Sequence, residues 1–342
     1  MRDCLRGAII GFGNVARRAH LPAWRENGNF RMVAVLDPDP EQERLARDLL
    51  PETAVYSEIG PLLAEQALDF LDICTPPCFH GDLILKACDA GLHVFCEKPL
   101  VTRLESLPRI QRAAQESGRV IFTVNNWKYA PLWIKARELI RSKKVGTVRS
   151  IALTVLRPPH SGGGLSDWRK CPEVAGGGIL FDHGWHHLYL VVSMMGEWPL
   201  SVSARMAYSR DTDPPLEETV DLVMPFPSGE VTLHLTWRAS CRRNHGVITG
   251  DEGTIFVNDD HLILLANGLP ATRYDFPEPL SGSSHHPEWM KPVMEHFLIE
   301  VLDARARGAN WAEASGCAEL THLAYQSCRE GSRFIPVPNR RM

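Results

Sequence analysis

Apolar positions in the first third of the chain fall in short β-rich runs separated by longer amphipathic stretches. Residues 8–10, 30–36, 70–75, 93–97 and 120–124 predict strands, and 81–90 and 104–117 predict helices between them. Strand–helix alternation of this kind predicts a doubly wound parallel sheet covered on both faces. The pattern changes near residue 132. A helix over 132–141 is followed by strand-like runs at 149–156, 201–207, 219–224, 230–237, 245–249, 254–258 and 262–265. Pro225-Phe226-Pro227-Ser228-Gly229 reads as a hairpin turn between two of them. Consecutive strands with short turns predict an antiparallel sheet, and two helices, 288–307 and 311–330, close the chain. The expected organisation is a Rossmann domain over 1–126 and an α+β domain over 127–342.

Composition narrows the class. At 342 residues, 44% hydrophobic and 23% charged, the chain has the make-up of a folded protein large enough for two cores. A net charge of −4 without blocks of like charge argues against a nucleic-acid surface. No apolar run approaches the ~20 residues that span a bilayer. The chain enters its first strand pattern almost at once, leaving no space for a signal peptide. None of the nine cysteines forms a Cys-x-x-Cys pair, and several sit in apolar runs. These features predict a reduced, cytoplasmic protein.

Gly11-Phe12-Gly13-Asn14-Val15-Ala16 lies after the first strand and opens a helix. Glycines there allow a tight turn and close approach of a pyrophosphate to backbone N–H groups, while the helix start adds partial positive charge. Asp37 ends the second strand 21 residues after Ala16, where a carboxylate accepts hydrogen bonds from ribose hydroxyls and repels a 2′-phosphate. The expected cofactor is therefore NAD(H), with NADP(H) as the alternative if Arg17 or Arg18 meets a phosphate. Thr75-Pro76-Pro77-Cys78-Phe79-His80 and Cys96-Glu97-Lys98-Pro99 follow two further strands, where ligands bind in an open parallel sheet. Thr75, Pro76, His80, Glu97 and Lys98 are candidates to flank the cofactor, and Lys98 can also stabilise a developing alkoxide. A strand-ending turn and a surface lysine are the plainer readings of these two motifs.

Gly176-Gly177-Gly178-Ile179-Leu180-Phe181-Asp182-His183-Gly184-Trp185-His186-His187 concentrates ionisable groups. On an α-helix Asp182 and His186 share one face, a carboxylate and an imidazole suited to proton transfer near neutral pH. His183 and His187 project about 100° away, so the four do not converge on one ion, and no metal is expected. His183 and His187 read as packing or hydrogen-bonded residues.

In this order the motifs resemble the glucose-fructose oxidoreductase / inositol dehydrogenase / rhizopine-catabolism (Gfo/Idh/MocA) family. The resemblance rests on the glycine fingerprint, Thr75-Pro76-x-x-x-His80, Glu97-Lys98-Pro99, Gly176-Gly177-Gly178-x-x-x-Asp182-x-Gly184-x-His186, Gly250-x-x-Gly253-Thr254 and Ser327-x-x-x-Gly331. It implies a second domain with a large open-faced sheet that makes homodimers or homotetramers. It also implies Lys98, Asp182 and His186 at the catalytic site, and a cis Lys98–Pro99 bond. Two departures stand out: Tyr189, where members often carry an acid three residues after the histidine, and Trp127-Lys128-Tyr129, where many carry arginine.

The resulting expectation is an oxidoreductase interconverting a secondary alcohol and a ketone on a sugar, cyclitol or similar polyol. His186 would take the hydroxyl proton, Asp182 would orient it or share substrate bonds, and Lys98 would stabilise the alkoxide. Lys128, Trp168, Arg169 and His160 are candidates on the substrate side. Two alternatives stay open: a lyase or glycoside-cleaving enzyme that uses bound NAD for transient oxidation, and a non-catalytic nucleotide-binding protein.

Overall fold

The computed structural model describes residues 4–159, 167–210, 213–283 and 285–340. The chain divides into two compact units, Met1–Asn126 with His285–Ser315, and Trp127–Ser284 with Gly316–Met342.

The first unit is built on six parallel strands, β1 (Leu5–Ile10), β2 (Phe30–Leu36), β3 (Ala54–Tyr56), β4 (Phe70–Ile73), β5 (His93–Cys96) and β6 (Ile121–Thr123). Their order, β3-β2-β1-β4-β5-β6, is that of a doubly wound dinucleotide fold. All residues of β4, β5 and β6 are buried, as expected for a sheet covered on both faces. The connecting helices are α1 (Leu21–Arg25), α2 (Pro40–Leu49), α3 (Ile59–Glu65), α4 (His80–Asp89) and α5 (Ser106–Ser117). The apolar pattern does not single out α2, β3 or α3, because β3 is only three half-buried residues.

The second unit carries α6 (Pro131–Arg141), β7 (Val148–Leu156), α7 (Pro172–Ala175), α8 (Trp185–Met195), β8 (Ser201–Tyr208), β9 (Glu217–Pro225) and β10 (Glu230–Thr236). It continues with β11 (Arg243–Gly250), β12 (Gly253–Asn258), β13 (His261–Ala266), β14 (Thr272–Asp275) and a terminal β15 (Ile335–Pro336). The sheet order is β14-β13-β12-β11-β7-β10-β9-β8-β15. Every pairing is antiparallel except β10 with β7. Burial alternates along β7: Ile151, Leu153 and Val155 are buried, whereas Ala152, Thr154 and Leu156 are not, the two-residue period of a sheet with one covered face. At the 225–229 turn the Phe226 amide donates to the Gly229 carbonyl at 2.7 Å, closing the expected hairpin.

Two helices follow, α9 (Pro287–Leu302) and α10 (Ala309–Arg329). The sequence pattern assigns all of 127–342 to one domain, but α9 belongs to the first unit. The reason is aromatic packing. Phe297 is fully buried, and its ring centroid lies 6.1, 5.5, 5.3 and 5.7 Å from those of Phe30, Phe70, Phe95 and Phe122, one from each of four parallel strands. Asn310 then pairs with both backbone groups of Thr123, at 2.6 and 2.9 Å, and so completes the hydrogen bonding of the edge strand β6. Among the described residues, no helix is long and apolar enough to cross a membrane.

Truncating Phe297→Ala removes the ring shared by these four strands. The expected cost is about 3–5 kcal/mol, read as a lower urea midpoint.

Candidate active site

In the first unit the glycine loop meets the sheet at its switch point, where β1 lies between β2 and β4. Gly11 has φ +90°, and a Cβ there would lie 3.0 Å from the Cys74 carbonyl carbon and the Thr75 nitrogen. Glycine is therefore required both by conformation and by contact with the end of β4. A Cβ on Gly13 would meet nothing within 4 Å, so the space above the loop is open. The Phe12 side chain is fully buried, whereas Asn14 is exposed and Val15 half-buried. Past them the chain is wound as a π-helix over Ala16–His20, with no side chain capping its amides.

Asp37 leaves β2 and turns to this loop. It accepts the Phe12 amide at 2.6 Å and the Asp39 amide at 3.0 Å. The Thr75 hydroxyl oxygen is buried with no partner in the protein. Open space over Gly13, uncapped helix amides, a carboxylate at the end of β2 and an orphaned hydroxyl together fit a dinucleotide. Arg17 turns aside to Asn14, at 3.1 Å.

Glu97 and Lys98 follow β5, and the Lys98–Pro99 bond is cis. One Glu97 oxygen accepts the Lys98 amide at 3.1 Å, and the other lies 2.9 Å from His20 Nε2. The opposite nitrogen of His20 meets both oxygens of Asp72, at 2.9 and 3.0 Å, and the Trp24 indole donates to Asp72 at 2.7 Å. His20 and Asp72 are fully buried. Burial alone would neutralise the imidazole, but Asp72 overrides it and holds His20 well above the usual histidine range. Burial likewise raises Glu97, yet the bond and charge of His20, with Lys98, bring it below the usual carboxylate range. The pattern is an imidazolium clamped between two carboxylates. This mutual bonding also accounts for the donor atoms of His20, Asp72 and Cys74 lying within 4.8 Å of one another, a spacing that otherwise suits a metal.

His80 differs from expectation. It is fully buried, with its nitrogens 2.9 Å from the Pro99 carbonyl and 3.0 Å from the Thr75 carbonyl, and burial lowers its pKa. It braces the two cofactor-side loops against each other and presents no ring atom to a ligand. Sequence reasoning missed His20. The available signal was Asp72, a charge inside an otherwise apolar strand.

In the second unit each glycine of the 176–178 run has its own reason. Gly176 ends α7 at φ +85°, a Cβ on Gly177 would collide with the Tyr325 hydroxyl, and one on Gly178 with the Glu217 carbonyl. This close approach lets the Glu217 side chain accept the amides of Gly178 and Leu180, at 2.8 and 3.1 Å, capping the helix start. Glu217 is 1% exposed, and burial raises its pKa against the pull of those amides.

Residues 180–184 are wound as a π-helix before α8 begins at Trp185. The wider turn changes the α-helical facing of Asp182 and His186. An Asp182 oxygen lies 3.6 Å from His183 Nε2, and Arg157 also feels the Asp182 charge. His186 meets Tyr189, whose hydroxyl lies 2.8 Å from Nδ1. The same hydroxyl accepts the Trp127 amide at 3.0 Å, and the Trp127 ring stacks on the His186 ring at 5.1 Å and 23°. Tyr189 and Trp127, singled out in the sequence only as departures, are thus the residues that hold His186. His187 Nδ1 donates to the His183 carbonyl at 2.9 Å, and burial brings its pKa down to about 4, in keeping with a structural role.

Arg157, at the end of β7, is 2% exposed. It donates to three uncharged acceptors, the carbonyls of Leu156 and Arg243 and the Asn244 side chain, at 2.7, 3.1 and 3.0 Å. Its guanidinium sits 6.0 Å from the Trp127 ring centre, and burial, with Arg242 nearby, lowers its pKa to about 10. Of the substrate-side candidates, Lys128 reaches over the Tyr129 ring at 5.7 Å, and Arg169 lies over Trp168 at 4.4 Å. His160 and Ser161–Gly164 lie outside the described residues.

Comparison with known proteins matches both parts of the chain. A family model described as oxidoreductase family, NAD-binding Rossmann fold, matches residues 5–126, and one described as GFO/IDH/MocA C-terminal domain matches residues 133–256. The chain is 30% identical over 272 residues to the uncharacterized protein YMR315W of Saccharomyces cerevisiae, covering 74% of each. It is 28% identical over 194 residues to D-glucoside 3-dehydrogenase of Escherichia coli, 56% of this chain and 54% of that protein. Among solved structures it is similar to levoglucosan dehydrogenase in complex with NADH and levoglucosan, with a TM-score of 0.85 at 20% identity, covering 98% of this chain and 100% of the other. With both halves matched in order and a relative at this identity over most of its length, the chain belongs to the Gfo/Idh/MocA oxidoreductase family.

Proposed function

We propose that the protein is an NAD(H)-dependent oxidoreductase that interconverts a secondary alcohol and a ketone on a sugar, cyclitol or similar polyol. The observation that carries this reading is the cradle at the β1–β4 switch point: Gly11 against Thr75, open space over Gly13 and Asp37 turned to the loop. The loop amides and helix start receive the pyrophosphate, and Asp37 the ribose hydroxyls. The family description as NAD-binding and the sugar dehydrogenase among the relatives support the same reading. The nicotinamide, when bound, supplies hydride acceptance or return.

The remaining chemistry falls to this chain. His186 takes the hydroxyl proton in oxidation and returns it in reduction. Lys98, its backbone tied to Glu97, supplies the positive charge that favours alkoxide character. Asp182, which also lies 3.6 Å from His183, orients and tunes His186 or shares substrate hydrogen bonds. Lys128, Trp168 and Arg169 are assigned to substrate contact. All nine cysteines are free, which supports a reduced, cytoplasmic location, and the uncovered face of the second sheet supports homodimers or homotetramers.

A screen of polyols, sugars and nucleotide sugars read at the NADH absorbance tests the activity; turnover without added NAD would point instead to transient oxidation in a lyase cycle. On an identified substrate, His186→Asn is expected to lower kcat by about a hundredfold or more while NADH binding is kept. Wild-type turnover in that variant overturns the assignment. Asp37→Ala is expected to weaken NADH binding by about tenfold, with a smaller change for NADPH, as measured by fluorescence titration.

A further inference from the structure

The contact that distinguishes this chain at the proposed proton-transfer residue is a phenol. Tyr189 is fully buried one helical turn after His186, with its hydroxyl 2.8 Å from Nδ1. The Trp127 amide, which can only donate, is fixed on the same oxygen at 3.0 Å. The Trp127 ring stacks on the imidazole at 5.1 Å, and the Tyr189 ring meets it edge-on, at 5.9 Å and 85°. Tyr189 therefore joins the 126–129 turn to α8 and sets the plane and tilt of the His186 ring.

We propose that Tyr189 is the positioning residue for His186, holding Nδ1 so that proton exchange with the substrate takes place at Nε2. The inference rests on His186 being the proton-transfer residue. A carboxylate at position 189 would keep the ring proton on Nδ1 and stabilise the imidazolium. A phenol carries no charge and both donates and accepts, so it supports the ring in either tautomer without favouring the cation. Its oxygen takes the Trp127 amide on one lone pair and accepts Nδ1–H on the other when Nε2 serves as the base; in the opposite tautomer the phenol proton turns to Nδ1. Titratable groups on the same helical segment as His186 include Asp182, His183 and His187, and Arg157 acts on Asp182 and His187. Lys128, in the same turn as Trp127, lies over Tyr129. The identity of residue 189 thus decides the pH range over which the histidine works.

The experiment uses full-length enzyme labelled with nitrogen-15 histidine, in wild-type, Y189F and Y189E forms, with the His186 signals identified by their loss in H186N. In Y189E the His186 titration is expected to move up by about one pH unit. In Y189F the Nδ1 and Nε2 shifts are expected to change, and kcat to fall about ten- to a hundredfold while KM changes less than about threefold. Y189F keeps the buried ring, so it carries the test if Y189E does not fold. Unchanged His186 shifts, titration and turnover in the folded variants overturn the proposal. If H186N is fully active while Y189F still alters the His186 signals, the proton-transfer reading fails and the positioning role stands. If H186N is inactive and Y189F matches wild type throughout, the positioning role fails and the proton-transfer reading stands.

Discussion

A charged imidazole at zero exposure is costly unless its charge and both its N–H groups are answered. His20 is answered on both sides, by Asp72 from within β4 and by Glu97 at the end of β5. This arrangement ties the helical segment after the glycine loop to the ends of two neighbouring strands. Glu97 in turn holds the backbone nitrogen of Lys98. Removing either carboxylate would leave a buried charge unbalanced, so the network acts as one unit rather than as separate bonds. His80 adds a second brace between the Thr75 and Pro99 loops. The cofactor-side loops of the first unit are thus held by buried polar contacts, while the sheet beneath them is held by aromatic packing.

The second unit reaches precision by a different route. Three glycines allow the start of the 180–195 helical segment to approach Glu217 and Tyr325 closely, and Glu217 uses that closeness to cap the helix. The same helix is nearly all buried, so its few polar side chains have restricted surroundings. His186 is fixed by a hydroxyl on one edge and an indole on its face. A side chain held from two directions has few rotamers open to it.

Legibility differed from residue to residue for physical reasons. The Gly11–Ala16 loop and Asp37 were readable because a tight turn against a strand end demands glycine locally, and because the spacing to the second strand is set by one βαβ unit. Most strands of both sheets were readable from their periods, the inner parallel ones as continuous apolar runs and β7 as an alternation; the short β3, β14 and β15 carried too few residues to show one. The placement of α9 was not, because Phe297 looks like any core phenylalanine until four other rings are found around it. Nor was the winding of residues 180–184, where the chain forms a π-turn in place of the α-helix that the spacing of Asp182 and His186 assumes.

The amino-acid sequence by itself determined the family, the glycine turn after β1, the order of most elements and the residue types available for chemistry. Those follow from local conformation and from spacing along one chain. The tertiary structure alone decided which of those residues meet. It set His80 between the Thr75 and Pro99 carbonyls and Glu97 beside His20, and it brought Trp127 from far along the chain to Tyr189 and His186. Partner choice among buried polar groups depends on burial and direction, which only the packed chain supplies.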